Sequence, residues 1–488
     1  MARLPDQEDR DRLATDLEAS YLCLAGAGAG KTHELVGRMV AAVAEGVAPV
    51  EAMAAITFTR KAAGEMRGRF FLGLRQRAAA SQGARGARLR AAVERIDQCF
   101  VGTIHAFCAV LLRQRSGAAG LGLEFTELEE RDERALQRRA WDDFLRERLA
   151  AGDERLEALA AMGHPAEDFY GFFVRRCQFS ELPLKETAGG RPDLEAAFAR
   201  VEALLAEAAP RLPAAGELDP FGELVRQTQR LIAYGGTLGD GDRAGVLAQF
   251  ASQAGSRVTQ KAWPEAERDF ARHLHRQVLP ALRQELEPVL RQWRQAVYQT
   301  AAGLIDAAVE AYGRQRRAAG LVTFQDLLER TAALLRCDAE ARRYYRGRYR
   351  LLFVDEFQDT DPLQAEILLY LAADQDPGPG GWQGLTPRPG SLFLVGDEKQ
   401  SIYRFRRADV EIFRRVRDRL AAGGGQVARL TVSFRARPAL CAWMNDAFAP
   451  LFAAGDPAAQ AAYAPLVPAR PERAAAPAVW ALRHPARP

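Results

Sequence analysis

Lysine is scarce in this chain. Of 67 lysines and arginines among 488 residues only five are lysine, at positions 31, 61, 185, 261 and 399. Alanine, arginine, glycine and proline are in surplus, so a lysine that survives the drift to arginine is a candidate for chemistry arginine does not supply. The six cysteines, Cys23, Cys99, Cys108, Cys177, Cys337 and Cys441, stand singly, with no CxxC spacing for zinc or an iron–sulfur cluster. Reduced thiols are expected. The six histidines form no metal set; His273 and His275 are two apart and fall on different helix faces. No uninterrupted run of about 18 apolar residues exists to span a bilayer, and the charged start MARLPDQEDRDR lacks the apolar core of a signal peptide. A cytoplasmic protein with no membrane partner is expected. Net charge is only +4, which excludes a polycation that coats nucleic acid without selectivity. Any nucleic-acid site must be local.

What is present is an ordinary globular composition, 48% hydrophobic and 27% charged, enough for two to four domains. No internal repeat of useful length is apparent. Strand-to-helix alternation opens the chain: Tyr21 to Leu24 reads as a buried strand, and Lys31 to Glu45 as a helix with Leu35, Val36, Met39, Val40 and Val43 on one face and Gly46 as its stop. A strand from Ala54 to Thr59 leads into a helix from Lys61, and one from Cys99 to Gly102 into Ile104 to Arg115. From about Leu121 to Gly320 the pattern changes to amphipathic helices, such as Glu130 to Ala150, Asp193 to Ala209 and Ala266 to Arg316. Alternation resumes with a strand Tyr349 to Val354, a helix Pro362 to Ala373 and a strand Ser391 to Val395. After a Pro/Gly-rich loop at Asp376 to Gly390 and a break at Gly423 to Gly425, a strand Val427 to Val432 and a helix Pro438 to Phe452 follow; Ala461 to Pro488 shows no element. The expected fold class is α/β, a parallel sheet core interrupted by a large all-helical insertion.

Two motifs carry the chemistry. In AGAGAGKT, residues Ala25, Gly26, Ala27, Gly28, Ala29, Gly30, Lys31 and Thr32, a loop follows an apolar strand and opens a helix. Glycines there let backbone N–H groups approach phosphates, Lys31 supplies a point charge to the β and γ phosphates, and Thr32 a hydroxyl to magnesium. Ala25 departs from the usual glycine at the first position. In LLFVDEFQDTDPLQ, Leu351 to Gln364, an apolar strand delivers Asp355 and Glu356 to its tip. Asp355 suits Mg2+ and Glu356 the polarisation of an attacking water. Neighbours on a strand point to opposite faces, so both reach one site only where the chain turns. Together the motifs read as ATP plus magnesium.

Further segments suggest nucleic acid. In SLFLVGDEKQSIYRFRRAD, Gln400 can sense a γ-phosphate, and Tyr403 and Phe405 lie beside Arg404, Arg406 and Arg407, as stacking on unpaired bases along a phosphate backbone would use; equally, one aromatic is core. Its Asp397-Glu398-Lys399 also resembles a nuclease DxK fragment, a reading its position after a strand disfavours. AITFTRKAAGEMRGR places Thr57, Thr59, Arg60 and Lys61 at a strand tip and helix start, and VGTIHAFC repeats the device with Thr103 and His105. Either of the last two also serves as a plain helix cap. From Lys61 to Arg95 nine cations face two acids, Glu65 and Glu94, a DNA-facing or merely solvated stretch. In LTVSFRARPAL, Phe434 can stack on adenine and Arg435 can reach a γ-phosphate.

In this order the motifs resemble those of superfamily 1 helicases of the UvrD/Rep type, and DEFQDTDPLQ, GDEKQSIYRFR and TFQDLL (Thr323 to Leu328) resemble the RecB/AddA branch. The resemblance implies a RecA-like core, an adenine-reading Gln7, and an ATP-driven translocase moving 3′ to 5′ on single-stranded DNA in double-strand-break processing or repair. It implies as substrates single-stranded or end-bearing double-stranded DNA, and a second subunit of a helicase–nuclease complex as a possible partner. The expected layout is a first RecA-like lobe from residues 1–115 and 321–425, a helical insertion 116–320, and an incomplete second RecA-like lobe 426–488. After Arg435 the family's later motifs do not follow, so the alternative is a truncated, non-motor module that binds ATP and DNA or needs a partner. Another P-loop enzyme, such as a nucleotide kinase, leaves Gln400 and Tyr403 unexplained.

Overall fold

The computed structural model describes residues 3–119, 121–122, 124–180, 182–185, 190–213, 218–234, 238–253, 258–378, 380–404, 407–453, 461, 463–471 and 479. Two compact units divide the chain, Met1–Glu127 with Val322–Pro488, and Leu128–Leu321. The sequence expectation ended the first segment at residue 115. Residues beyond it stay with the first unit because Phe125 is buried in the same core as Ile104 and Phe107.

Six parallel strands build the first unit: β1 (Tyr21–Ala25), β2 (Met53–Thr57), β3 (Phe100–Thr103), β4 (Leu351–Val354), β5 (Leu392–Gly396) and β6 (Gln426–Leu430), in the order β3-β2-β4-β5-β1-β6. Their side chains alternate between two buried cores. Leu22, Ala54, Ile56, Leu352, Val354 and Leu394 face one, with helix α5 (Ile104–Gln114). Cys23, Ala55, Phe353 and Val395 face the other, with α2 (Lys31–Glu45), α3 (Arg60–Ala79) and α4 (Gly83–Glu94). Burial on both faces is why these strands read as continuous apolar runs rather than alternating ones.

Helix α2 begins where Gly30 adopts φ +90° and ends where Gly46, at φ +77°, turns its N–H back to Ala42 and Val43. Leu35, Val36, Met39, Val40 and Val43 form its buried face, as their spacing requires. One placement differs from the sequence expectation. The strand assigned to the start of a second lobe is β6, which pairs with β1 from Tyr21↔Gln426 to Ala25↔Leu430 and so completes the first sheet. Two short strands, β7 (Val432–Ser433) and β8 (Val467–Pro468), pair beyond it; a two-residue strand in the Pro/Ala-rich tail carries no periodic signal.

The second unit is helical, cored by Trp141, Phe173, Leu247, Phe250 and Ile305. Its expected long helix from Ala266 to Arg316 is divided into Arg268–His273, a π turn at Leu274–Val278, and Leu279–Ala318. Pro280 has no N–H to donate and its ring crowds the carbonyl four residues back, which widens the turn.

Because all six strands run the same way, their C-terminal tips share one edge. The loops that follow β1, β2, β4, β5 and β6 carry the glycine loop, Phe58 with Thr59, the acid pair, the Gln400 segment and Phe434 with Arg435. That edge is where open α/β sheets hold ligands.

Candidate functional site

Ala25 is the last residue of β1, fully buried and paired with Leu430, in ordinary extended backbone. Its position therefore needs no glycine, which accounts for the departure from the usual motif. Left-handed backbone is required instead at Gly28 (φ +75°) and Gly30 (φ +90°). A Cβ on Gly28 would lie 2.6 Å from that of Arg435. No side chain caps α2, so its first N–H groups remain available to an anion at the positive end of the helix.

Five polar side chains meet at the start of α2. The Lys31 ammonium donates to Glu356 at 2.7 Å and makes a long 3.5 Å contact with Gln400 Oε1, and Thr32 Oγ1 donates to Asp355 Oδ2 at 3.2 Å. Asp355 continues β4, its N–H bonded to Ile56 O. Glu356 then takes φ +55°, a left-handed conformation that costs a non-glycine residue of order 1–3 kcal/mol. That turn is what lets adjacent carboxylates reach one site from a strand end. Gln358, buried, donates to Glu356 Oε2 at 2.7 Å and accepts from the Asp397 amide at 3.0 Å, tying the tip of β4 to that of β5. Gln400 in turn donates to Asp397 Oδ2 at 2.9 Å, and Lys399 pairs with the same carboxylate at 2.8 Å. The DxK fragment is thus an internal ion pair.

Burial, and then the Glu356 carboxylate, raises the Asp355 pKa above the usual carboxylate value against the pull of Lys31 and Thr32. The same two causes push Asp359 up to about 6. A buried carboxylate short of positive charge beside a hydroxyl suits a hard divalent cation, and Thr32 with Asp355 fits Mg2+, which keeps most of its coordination for water and phosphate oxygens. Thr57 Oγ1 is buried without a hydrogen-bond partner among the described residues. Its strand parity places it on the same side of the sheet as Asp355 and α2. Thr57, expected at DNA, is 2% exposed and stands on the α2 side of the sheet.

The model of the UvrD/REP helicase N-terminal domain covers residues 6–421. The chain belongs to the UvrD/REP helicase family. Among curated proteins it is similar to the A subunit of the ATP-dependent helicase/nuclease of Carboxydothermus hydrogenoformans, 26% identical over 490 residues, which is 90% of this chain and 39% of that protein. It is also similar to those of Desulforudis audaxviator (29% over 502 residues, 88% and 38%) and Geobacillus kaustophilus (26% over 487 residues, 88% and 38%). The chain spans about two-fifths of the length of the curated relatives it matches.

In this UvrD/REP helicase chain a second set of groups lines the same edge. Phe58, 36% exposed, packs its ring 5.0 Å from that of Tyr403 at 30°. Tyr403 is therefore half-buried on another surface ring and not core; Phe405 and Arg406 lie outside the described residues. Arg60 and Lys61 are exposed in the first turn of α3. Thr59 and Thr103 are the N-caps of α3 and α5, accepting from Ala62 and Ala106, which leaves each O–H free to donate to a phosphate. The His105 ring packs 5.1 Å from Phe324, and burial pushes its pKa down to about 4. The ring is therefore neutral at pH 7.

Gln7 bonds Asp11 on its own helix α1 (Gln7–Thr15) at 2.8 Å. The side chains of α1 that reach the glycine loop are others. Arg10, 7% exposed, donates to Asp6 through Nε and Nη2 (2.9 Å each), to Glu34 at 2.7 Å and to Ala29 O at 3.0 Å, and its guanidinium lies 5.1 Å from the Phe434 ring centre. Phe434 remains 40% exposed and its amide donates to Gly28 O at 2.9 Å. Reasoning from sequence missed Asp6, Arg10, Phe58, Phe324 and Gln358. Of these Phe58, Phe324 and Gln358 stand inside quoted motifs; Asp6 and Arg10 stand in a charged run that gave no signal.

Proposed function

We propose that this chain is the ATP-hydrolysing part of a DNA helicase that moves 3′ to 5′ on single-stranded DNA in break processing or repair. Relatives named as A subunits of an ATP-dependent helicase/nuclease support a nucleic-acid substrate and a second protein in the assembly. One observation carries the reading: the loop after β5 bears Gln400, which leans on Lys31, and Tyr403, which stacks on Phe58. Groups for nucleotide and for bases sit three residues apart, so movement at one is transmitted to the other.

At rest Lys31 is held by Glu356. A triphosphate offers far more negative charge than one carboxylate, so Lys31 turns to the β and γ phosphates, with Arg435 approaching from the β6 side. Glu356, released from its cation but still oriented by Gln358, takes the proton of the attacking water. Thr32 and Asp355 would hold Mg2+, which would supply neutralisation of the triphosphate's negative charge. Phe434 supplies a face for adenine. On the DNA side, bases stack on Phe58 and Tyr403, while Arg60, Lys61 and the capped starts of α3 and α5 hold phosphates.

Lys31→Ala should abolish ATP hydrolysis stimulated by single-stranded DNA, and unchanged stimulated turnover would refute the assignment. Strand displacement on duplexes with 3′ or 5′ overhangs tests the motor and its polarity. Hydrolysis without displacement by residues 1 to 488 would make the chain an ATP- and DNA-binding module of a larger assembly.

A further inference from the structure

Helix α1 addresses the nucleotide site through residues no motif supplied. We propose that Asp6 and Arg10 are a positioning pair for ATP, holding the glycine loop and the Phe434 platform in their binding geometry. This rests on the ATP reading above.

The guanidinium draws together four separate parts of the fold: Asp6 at the N-cap of its own helix, the Ala29 carbonyl in the loop, Glu34 in the first turn of α2, and the face of Phe434. Asp6 in turn accepts from the amides of Thr431 and Val432 at 3.0 Å each, in the segment that leads from β6 to Phe434. Both side chains are buried, at 5% and 7% exposure. Burying this much charge is unfavourable unless each group is paired. Here every link ends on an element that touches the nucleotide site.

Two consequences follow for binding. In a trans peptide C=O and N–H point oppositely, so anchoring Ala29 O to Arg10 turns the Gly30 N–H away from Arg10 and fixes one phosphate-binding donor before ATP arrives. A Cβ on Gly30 would stand 3.6 Å from Arg10 Nη1 and 4.0 Å from both His33 and Phe434. The loop exit and the base platform are therefore in contact through Arg10, which covers part of the ring and leaves the rest to a base. Lysine keeps the charge but has neither the planar fork nor the ring-stacking surface, so Arg10→Lys separates charge from geometry.

The test is equilibrium titration of residues 1 to 488 with a ribose-labelled fluorescent ATP, and competition by inorganic tripolyphosphate. The proteins are the wild type, Arg10→Lys, Phe434→Leu and the double variant, each checked by circular dichroism. Arg10→Lys should weaken labelled ATP about tenfold or more, the scale of one lost charge-assisted hydrogen bond. It should also weaken tripolyphosphate, which has no base, because the loop itself is affected. The ATP effects of Arg10→Lys and Phe434→Leu should be non-additive, since one acts partly through the other; a merely structural arginine gives additive effects. A folded Arg10→Lys protein with wild-type affinity for both probes, or additive effects, overturns the proposal. Should Arg10→Lys not fold, Asp6→Asn carries the same test with the same outcomes. Failure of the ATP reading itself is distinguishable: Lys31→Ala would then leave labelled-ATP binding intact, whatever Arg10 does.

Discussion

Glu356 is where residue-scale geometry decides chemistry. Its backbone is left-handed, its carboxylate is shared between Lys31 and Gln358, and it stands beside a buried Asp355 whose pKa burial has raised. Glu356→Gln keeps shape and hydrogen bonds but removes the proton acceptor, so turnover should fall by roughly 100- to 10,000-fold, the usual contribution of a general base. Labelled-ATP affinity should hold or improve, because Lys31 no longer leaves an ion pair to reach phosphate. Turnover within a few-fold of wild type in single-turnover hydrolysis would assign the base elsewhere. At this scale the sequence was legible where a motif has a fixed spacing and a strand before it: Lys31, Thr32, Asp355 and Glu356 could be named with partners in mind. It was illegible where a role depends on fold alone. Nothing in RLPDQEDRDR marks Asp6 and Arg10 over Gln7, since all three are polar residues of one charged stretch and only the packing of α1 on the loop sorts them.

Among the elements, the loops after β2 and β5 act as a pair. Phe58 and Tyr403 come from segments over 300 residues apart (403 − 58 = 345), and their stack is the surface that can accept a base. Base–aromatic stacking contributes about 1–3 kcal/mol per base, so Tyr403→Ala should raise the dissociation constant for an oligothymidylate by roughly 5- to 150-fold in fluorescence anisotropy. An unchanged constant would move the DNA path off these loops. Thr57 and Phe58 show why a motif reveals a site more readily than the direction each side chain takes. They are neighbours at one strand end, yet Thr57 is buried on the α2 side while Phe58 is half out in solvent. Strand boundaries were readable to within one or two residues from apolar runs and glycines; the owner of β6 was not, because a strand's pairing partner is a long-range choice.

For the whole molecule, buried acids set the pH response. Burial pushes Asp361, the N-cap of helix Pro362–Ala372, from 3.8 up to about 6 despite its bond from the Gln364 amide. The folded protein therefore holds this proton more tightly than the unfolded chain. The resulting stability is present in full below pH 3.8 and is lost as pH rises through about 6, a total of roughly 3 kcal/mol. Asp359 acts in the same direction, whereas His105, lowered to about 4, loses stability as pH falls; comparison with a variant separates them. Asparagine also caps helices, so Asp361→Asn should keep the cap and remove the titration. The difference in urea-unfolding free energy between wild type and Asp361→Asn should then move by about that amount between pH 4 and 7. A constant difference would show that Asp361 does not titrate with folding.

The pairing of β6 with β1 along five residues fixes the spacing of the two loops that follow them. The strand that ends in the loop to Phe434 is laced to the strand that ends in the glycine loop, so purine shelf and triphosphate nest ride on one plank. On the proposed reading, a nucleotide held by these two loops keeps its base and phosphate contacts at one spacing, whatever the elements outside this strand pair do.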